Sequence, residues 1–296
     1  MKSAQAIAVA LMLGMSTQLT IASNGSAIGP LIGTPENVLG KADDTLSTIA
    51  LRYRLGFDEL VAANAGLNPF FLGQATSVTL PTQHLLPNVE HEGIVINLPE
   101  MRLYYFDDGA VDSWPIGIGR AGWSTPEADT TVVSRIEHPD WYPPASIRQE
   151  YEKAGKQLPR IVVAGPDNPL GDHALKLALP GYLLHGTNQP DGVGMRVSHG
   201  CIRLYDEHIK ALFDRVRVGT RVQIINQPIK WANVDGQLMI EAHQPLYDAD
   251  GNAQQAFRDS VHAAGKGLAA PARVNAYVRE KLASHQLFDG LPRIIP

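Results

Sequence analysis

Residues 196–204 read RVSHGCIRL and contain Cys201, the one cysteine in a chain of 296 residues. A thiol attacks as its thiolate, and the usual partner that makes it one is a histidine. Two histidines qualify: His199, two positions before the thiol, and His185 in the run LLHGT. Along an extended chain the side chains of His199 and Cys201 point the same way. His185 ends a different strand-like run and can approach across a sheet, so the residues alone leave the choice open. Arg203 supplies a nearby cation, and a helix starting near Asp206 would supply a positive end. Both should lower the thiol pKa. A fall from about 8.5 to about 6 would raise the thiolate fraction at pH 7 roughly thirtyfold. Intrinsic nucleophilicity would fall about tenfold over the same change. The remaining gain is small beside the roughly 10²–10³ that an oxyanion hole supplies. A positioned base and an oxyanion site must therefore carry most of any acyl transfer at this cysteine.

Other thiol chemistries fit less well. A structural zinc site needs four ligands, and the chain offers one cysteine with few histidines near it. A phosphatase loop of the Cys-x5-Arg type fails because Glu207 stands where the arginine should be. A papain-type protease places its cysteine before its histidine, whereas His185 precedes Cys201.

The N-terminal run MKSAQAIAVALMLGMSTQLTIAS has one early lysine, an apolar stretch and small residues at Thr20 and Ala22. Residues 1–23 are expected to be a secretory signal peptide, and the mature, exported chain is expected to start near Ser23 or Asn24. The apolar stretch is short of the roughly 20 residues that a membrane span needs, and no other run approaches that length. Exported proteins that use cysteine for stability pair it, so one unpaired thiol here is either buried and inert or reactive by design. The net charge of −5 and the lack of a basic run exclude a nucleic-acid partner by expectation. Gly 27 and Pro 21 favour short strands and turns over long helices.

The elements that must position these residues fall into three regions. Residues 37–81 form a compact unit. Leu46, Ile49, Ala50 and Tyr53 share one face of a helix that Asp43, Asp44 or Thr45 caps. A second short helix ends at Gly66, SVTLP is a closing strand, and a first strand lies near Asn37–Leu39. Residues 93–227 are β-rich, with strands in IVINLP, RLYYF, AVDSWPIGIG, RIVVAG, HALKLAL, GYLLHG and TRVQIIN, and a turn at Asp107-Asp108-Gly109. The one clear helix there, DEHIKALFDRV, aligns Ile209, Leu212, Phe213 and Val216, with Asp206 as its cap. Residues 228–296 form a C-terminal subdomain, with a hairpin at Asp235-Gly236 and a helix in PARVNAYVREKLASH. The fold class expected is mainly β with short helices.

Two resemblances follow from these residues. The order helix, helix, strand with DTL and AAN over residues 37–81 resembles a lysin motif (LysM), which implies binding to the glycan of peptidoglycan and a module that can be deleted without abolishing the chemistry. His185-Gly186-Thr187, then SHGCIRL at 198–204, together with GIGR at 117–120, Thr125-Pro126 and NPLG at 168–171, resembles the L,D-transpeptidase catalytic domain. PDWYPPASIR at 139–148 resembles the periplasmic Gram-negative subgroup. The resemblance implies a cysteine in a crevice under a lid. It implies Cys201 as nucleophile and His185 as base, oriented by a backbone carbonyl near Gly186. Ser198, His199, Gly200 and Gly186 would line the oxyanion side, and Arg203 would hold the donor peptide. The implied reaction takes the diaminopimelate carbonyl of a tetrapeptide stem, releases D-alanine, and passes the acyl group to an amine. That amine is either diaminopimelate of a second stem or a lysine of an outer-membrane lipoprotein. No metal or cofactor is expected. A hydrolase of the same fold and a non-catalytic peptidoglycan-binding protein are the alternative readings.

Overall fold

The computed structural model describes residues 28–235, 237–246 and 273–274. Strand β1 (Leu31–Ile32) is followed by β2 (Glu36–Leu39), α1 (Leu46–Tyr53), α2 (Phe57–Ala63), β3 (Ser77–Leu80) and β4 (His84–Leu85). β2 and β3 pair antiparallel, with Val38 opposite Val78, and β1 pairs with β4. Of the three candidate caps, Thr45 holds α1: its Oγ1 accepts from the Thr48 N–H at 3.1 Å. Asp44 instead accepts from the Lys41 N–H at 2.9 Å and pairs with Arg52, which together hold its pKa down at about 2. Leu46, Ile49, Leu60, Val78 and Leu80 make a small core between helices and ribbon. Tyr53, expected on the buried face, is instead 41% exposed on the last turn of α1.

The larger unit is built on an eight-stranded sheet. Its strands are β5 (Gly93–Asn97), β6 (Arg102–Asp107), β7 (Ala110–Pro115), β9 (Ala128–Glu137), β10 (His173–Leu177), β11 (Leu183–His185), β13 (Ile202–Arg203) and β14 (Arg221–Ile225), in the order β13-β11-β10-β9-β14-β5-β6-β7. β8 (Ile118–Gly119) and β12 (Arg196–Ser198) form a separate parallel pair. The β6–β7 turn has Asp108 and Gly109 at φ of 45° and 73°, the positive values that a two-residue hairpin needs. Helix α4 (Asp206–Arg215) lays Ile209, Leu212 and Phe213 on the core, joined by Ile94, Leu103, Leu175, Leu184 and Ile202 from the sheet.

Three expectations are corrected here. RIVVAG forms no strand; its only ladder contact is an isolated bridge between Val162 and Trp141, and Ile161 and Val163 are 47% and 69% exposed. The amide of Asn168 holds this segment instead, donating to Pro139 O at 2.8 Å and Val162 O at 3.0 Å. A second helix, α3 (Ala145–Lys153), follows Pro143-Pro144. Asp206 is not the cap of α4: Tyr205 occupies that position, and the Asp206 carboxylate accepts from the Thr187 N–H at 2.9 Å.

The C-terminal hairpin stands as expected, with β15 (Ile229–Val234) and β16 (Gln237–Ala242) antiparallel about a turn where Asp235 has φ 50°. Where the sequence suggested a helix, Arg273–Val274 forms β17, parallel to β16; the rest of that expected helix lies outside the described residues. The hairpin docks through buried charges. Lys230 Nζ, fully buried, donates to Leu85 O at 2.6 Å and Glu100 at 2.7 Å, and lies 3.1 Å from Glu241. His84 stands 3.4 Å from Glu241. His84, Glu100 and Glu241 bring their ligand atoms within 4.8 Å of one another, and Lys230 Nζ lies against the two carboxylates of this group. Burial opposes ionisation of Glu241, but the Lys230 charge and the contacts with His243 and His84 together overcome it and lower its pKa.

The small unit packs firmly on the larger one. Arg102 donates to Glu59 at 2.6 and 2.8 Å with both side chains buried. The Tyr205 hydroxyl donates to Leu55 O at 2.8 Å, and Arg54 pairs with Glu207.

Candidate functional site

The parallel pair β11–β13 sets the site. Leu184 lies opposite Ile202 and His185 opposite Arg203. Leu184 and Ile202 face the core, where both are fully buried. Alternation then puts His185, Arg203 and the preceding Cys201 on the other face. The register thus sets His185 across from Arg203, and the charge of Arg203 acts on both His185 and Cys201.

Cys201 is half-buried, and its thiol donates toward Gly181 O at 3.6 Å. Burial pushes its pKa up, against the Leu183 N–H and the Arg203 charge. The expectation of a lowered thiol pKa is therefore corrected: desolvation of the thiolate outweighs the cation. His185 is 3% exposed, and its Nδ1 pairs with Gly186 O at 2.6 Å. Burial, with help from Arg203, lowers its pKa to about 4 although the Gly186 carbonyl opposes this. It is a neutral imidazole at pH 7, and if Nδ1 carries the proton toward Gly186 O, Nε2 is the basic nitrogen.

The turn that carries the thiol is held from inside and outside. Ser198 Oγ accepts from the Gly200 N–H at 3.1 Å and donates to Cys201 O at 2.6 Å. Gly200 has φ 108°, and a Cβ there would come within 3.0 Å of the Tyr182 ring, so only glycine suits the position. Its carbonyl accepts from Thr125 Oγ1 at 2.7 Å, and Thr125 Oγ1 in turn accepts from the Gly119 N–H at 3.0 Å. Gly186 admits the Asp206 carboxylate, which would lie 2.1 Å from a Cβ, and its own N–H donates to His173 O at 3.1 Å. The N–H groups of Gly200 and Gly186 are thus engaged. Among the described turn and loop hydrogen bonds, none uses the N–H of Cys201.

His199 lies apart from His185. Its Nε2 is 3.1 Å from Glu150 of α3 and 3.0 Å from Arg120, and Arg120 donates to both Glu150 oxygens at 2.6 and 2.7 Å. Trp123 meets the His199 ring edge-on at 4.9 Å. Arg203 is half-buried, and its Nε is buried without a hydrogen-bond partner. Its charge acts on His185, His199 and Cys201 alike, so all three groups lie within the field of one cation. Sequence reasoning missed Glu150, Arg120 and the bracing role of Thr125, since each acts through a loop or helix distant in sequence from the thiol. No helix among the described residues is long and apolar enough to cross a membrane.

Residues 91–224 match the L,D-transpeptidase catalytic domain, and residues 41–70 match the LysM domain. The chain is 43% identical over 255 residues to the probable L,D-transpeptidase YcfS of Escherichia coli K12, covering 84% of this chain and 79% of that protein. It is 45% identical over 222 residues to the probable L,D-transpeptidase ErfK/SrfK of Salmonella typhimurium LT2, covering 73% and 72%. Among solved structures, an L,D-transpeptidase from Mycobacterium tuberculosis H37Rv is 18% identical with a TM-score of 0.36, over 52% of this chain and 63% of that one.

Proposed function

As the chain belongs to the L,D-transpeptidase family, we propose that Cys201 is the acyl-carrying nucleophile of a periplasmic peptidoglycan transpeptidase and that His185 is its base. The observation that supports this reading is the β11–β13 register, which pairs His185 with Arg203, two residues after Cys201.

In this reading a tetrapeptide stem enters with its diaminopimelate carbonyl over Cys201. His185 takes the thiol proton as sulfur attacks, because a thiol whose pKa is raised does not supply a standing thiolate. The carbonyl oxygen becomes an oxyanion held by the Cys201 N–H. Ser198 and Gly200 shape the turn that presents this donor, and His199 lines one side. As the intermediate collapses, the C–N bond to D-alanine breaks, and His185 returns its proton to the leaving amine. A thioester remains, and an amine then takes the acyl group. Arg203 binds an anionic group of the donor, consistent with its unpartnered Nε. No metal or cofactor enters these steps.

The remaining assignments belong to the same proposal: residues 1–23 as a signal peptide, 37–81 as a module that binds the glycan, 93–227 as the catalytic domain and 228–296 as a C-terminal subdomain. The acceptor amine belongs to a second stem or to a lipoprotein lysine. The test is incubation of purified protein with disaccharide-tetrapeptide, with and without a lysine-terminated peptide, and mass spectrometry of the products. Cys201→Ala is expected to abolish D-alanine release. Release that survives this substitution would end the assignment, and an acyl product found only as the free acid would make the protein a hydrolase.

A further inference from the structure

Glu150 takes no part in forming the thioester, yet α3 carries its carboxylate onto His199, two residues from Cys201. We propose that Glu150 and His199 form a binding site for the primary ammonium group of the acyl acceptor and take the proton it must lose before it attacks. The inference rests on the reading of Cys201 as the acyl carrier.

The chemistry calls for such a site. A primary amine with a pKa near 10.4 is almost wholly ammonium at pH 7, with fewer than about one molecule in 10³ free to attack. An ammonium cannot attack a thioester, so a group at the site must first bind the cation and then accept a proton. Glu150 and His199 offer both. The carboxylate is half-exposed, so a cation from solvent can reach it. Arg120 grips both of its oxygens but does not exhaust it, because an ionised carboxylate has about four acceptor positions. Burial works against the charge on Glu150, and His199 and Arg120 together overcome it. Burial also lowers the His199 pKa despite Glu150, so the ring is the neutral, proton-accepting form at pH 7. Trp123, edge-on to His199 and with Arg120 6.0 Å from its ring, closes one side of the group. A plain surface ion pair would need only Arg120 and Glu150. The third member is a histidine on the thiol's own turn, two residues from Cys201.

The step balances. The acceptor ammonium gives one proton to the His199–Glu150 pair, which sheds it to solvent. The free amine attacks the thioester carbonyl, a C–N bond forms, and the C–S bond breaks. The second nitrogen proton passes through His185 to sulfur, which restores the thiol.

Two amines share this chemistry, the diaminopimelate side chain of a stem and a protein lysine, and the experiment separates them. Tetrapeptide donor is supplied with either a diaminopimelate tripeptide or a lysine-terminated peptide, and the ratio of transfer to hydrolysis products is read by mass spectrometry. Glu150→Gln, which keeps the shape and an oxygen for Arg120, is expected to lower that ratio about tenfold or more at subsaturating amine. Glu150→Asp should recover part of it. A residue that only supports the fold would slow both products together, so an unchanged ratio in Glu150→Gln overturns the proposal. With the unaltered protein, an N,N-dimethyl acceptor, still cationic, should compete with transfer while an N-acetyl acceptor should not. Equal inhibition by both, or by neither, also overturns it. The amine giving the larger ratio in the unaltered protein identifies the source. If this inference alone fails, D-alanine release still depends on Cys201; if the underlying reading fails, Cys201→Ala leaves release intact.

Discussion

His185 illustrates how a residue's setting decides its role. Its pKa near 4 follows from burial first and Arg203 second, so it is unprotonated throughout the neutral range. Cys201 moves the other way, held as a thiol by burial. Proton transfer during attack therefore replaces a standing ion pair in the proposed mechanism. D-alanine release is expected to hold as the pH drops to about 5 and to fall as it passes about 4, where imidazolium can no longer accept a proton. The same shift bears on stability. The folded pKa lies below the unfolded value near 6.5, so the stabilisation is complete above that value and is lost as pH falls toward the folded pKa. His185→Ala should slow release at pH 7 by roughly 10²–10⁴, and alkali should recover part of the loss by ionising the thiol directly. A variant whose defect does not change between pH 7 and 9 would sink the base assignment.

Among the elements, the segment between β8 and β9 braces the thiol's turn. Thr125 Oγ1 satisfies the Gly119 N–H and the Gly200 carbonyl at once, in a site only 5% exposed. Thr125→Val keeps the shape and strands both backbone groups, at a cost of about 1–3 kcal/mol for each group left buried without a partner. It should lower the midpoint of denaturant unfolding and raise the rate at which iodoacetamide alkylates Cys201, since a looser turn exposes the sulfur. Thr125→Ser restores the hydroxyl and should restore both readouts. A Val variant with unaltered stability and alkylation would mean that strand pairing between β8 and β12 holds the turn without help. α3 acts in the same manner from the other side, since its Glu150 is what joins that helix to His199.

At the scale of the whole molecule, the small N-terminal unit is joined to the sheet by buried charge. Glu59 neutralises Arg102 where both side chains are nearly inaccessible. Removing one member of a buried pair typically costs about 3–5 kcal/mol because the other stays behind uncompensated. Deleting residues 37–81 would do this and also strand the Tyr205 hydroxyl. Loss of activity on such a deletion would therefore report on folding before it reported on glycan binding. Glu59→Ala is expected to destabilise the full chain by that amount in chemical denaturation, and a change below about 1 kcal/mol would show that the docking is not energetically coupled. The C-terminal hairpin uses the same device through Lys230, Glu100 and Glu241.

The sequence by itself determined the local and the covalently close. Alternating apolar runs marked most of the strands, the Asp107-Asp108-Gly109 turn fell where positive φ was needed, and the residues alone offered His185 and His199 as partners of the thiol without choosing between them. Short-range patterns suffice there because side-chain direction in a strand follows from parity alone. What only the tertiary structure decided depends on burial and on contacts across long loops. The thiol pKa rises because desolvation outweighs a cation that the sequence places nearby. RIVVAG has the composition of a strand but no sheet neighbour, and Asn168 takes its carbonyl instead. Glu150 lies 49 positions from His199, too far for any spacing rule, and reaches it because α3 folds back over the turn. Pairings of that kind are set by where the core packs the elements, and no local pattern encodes them.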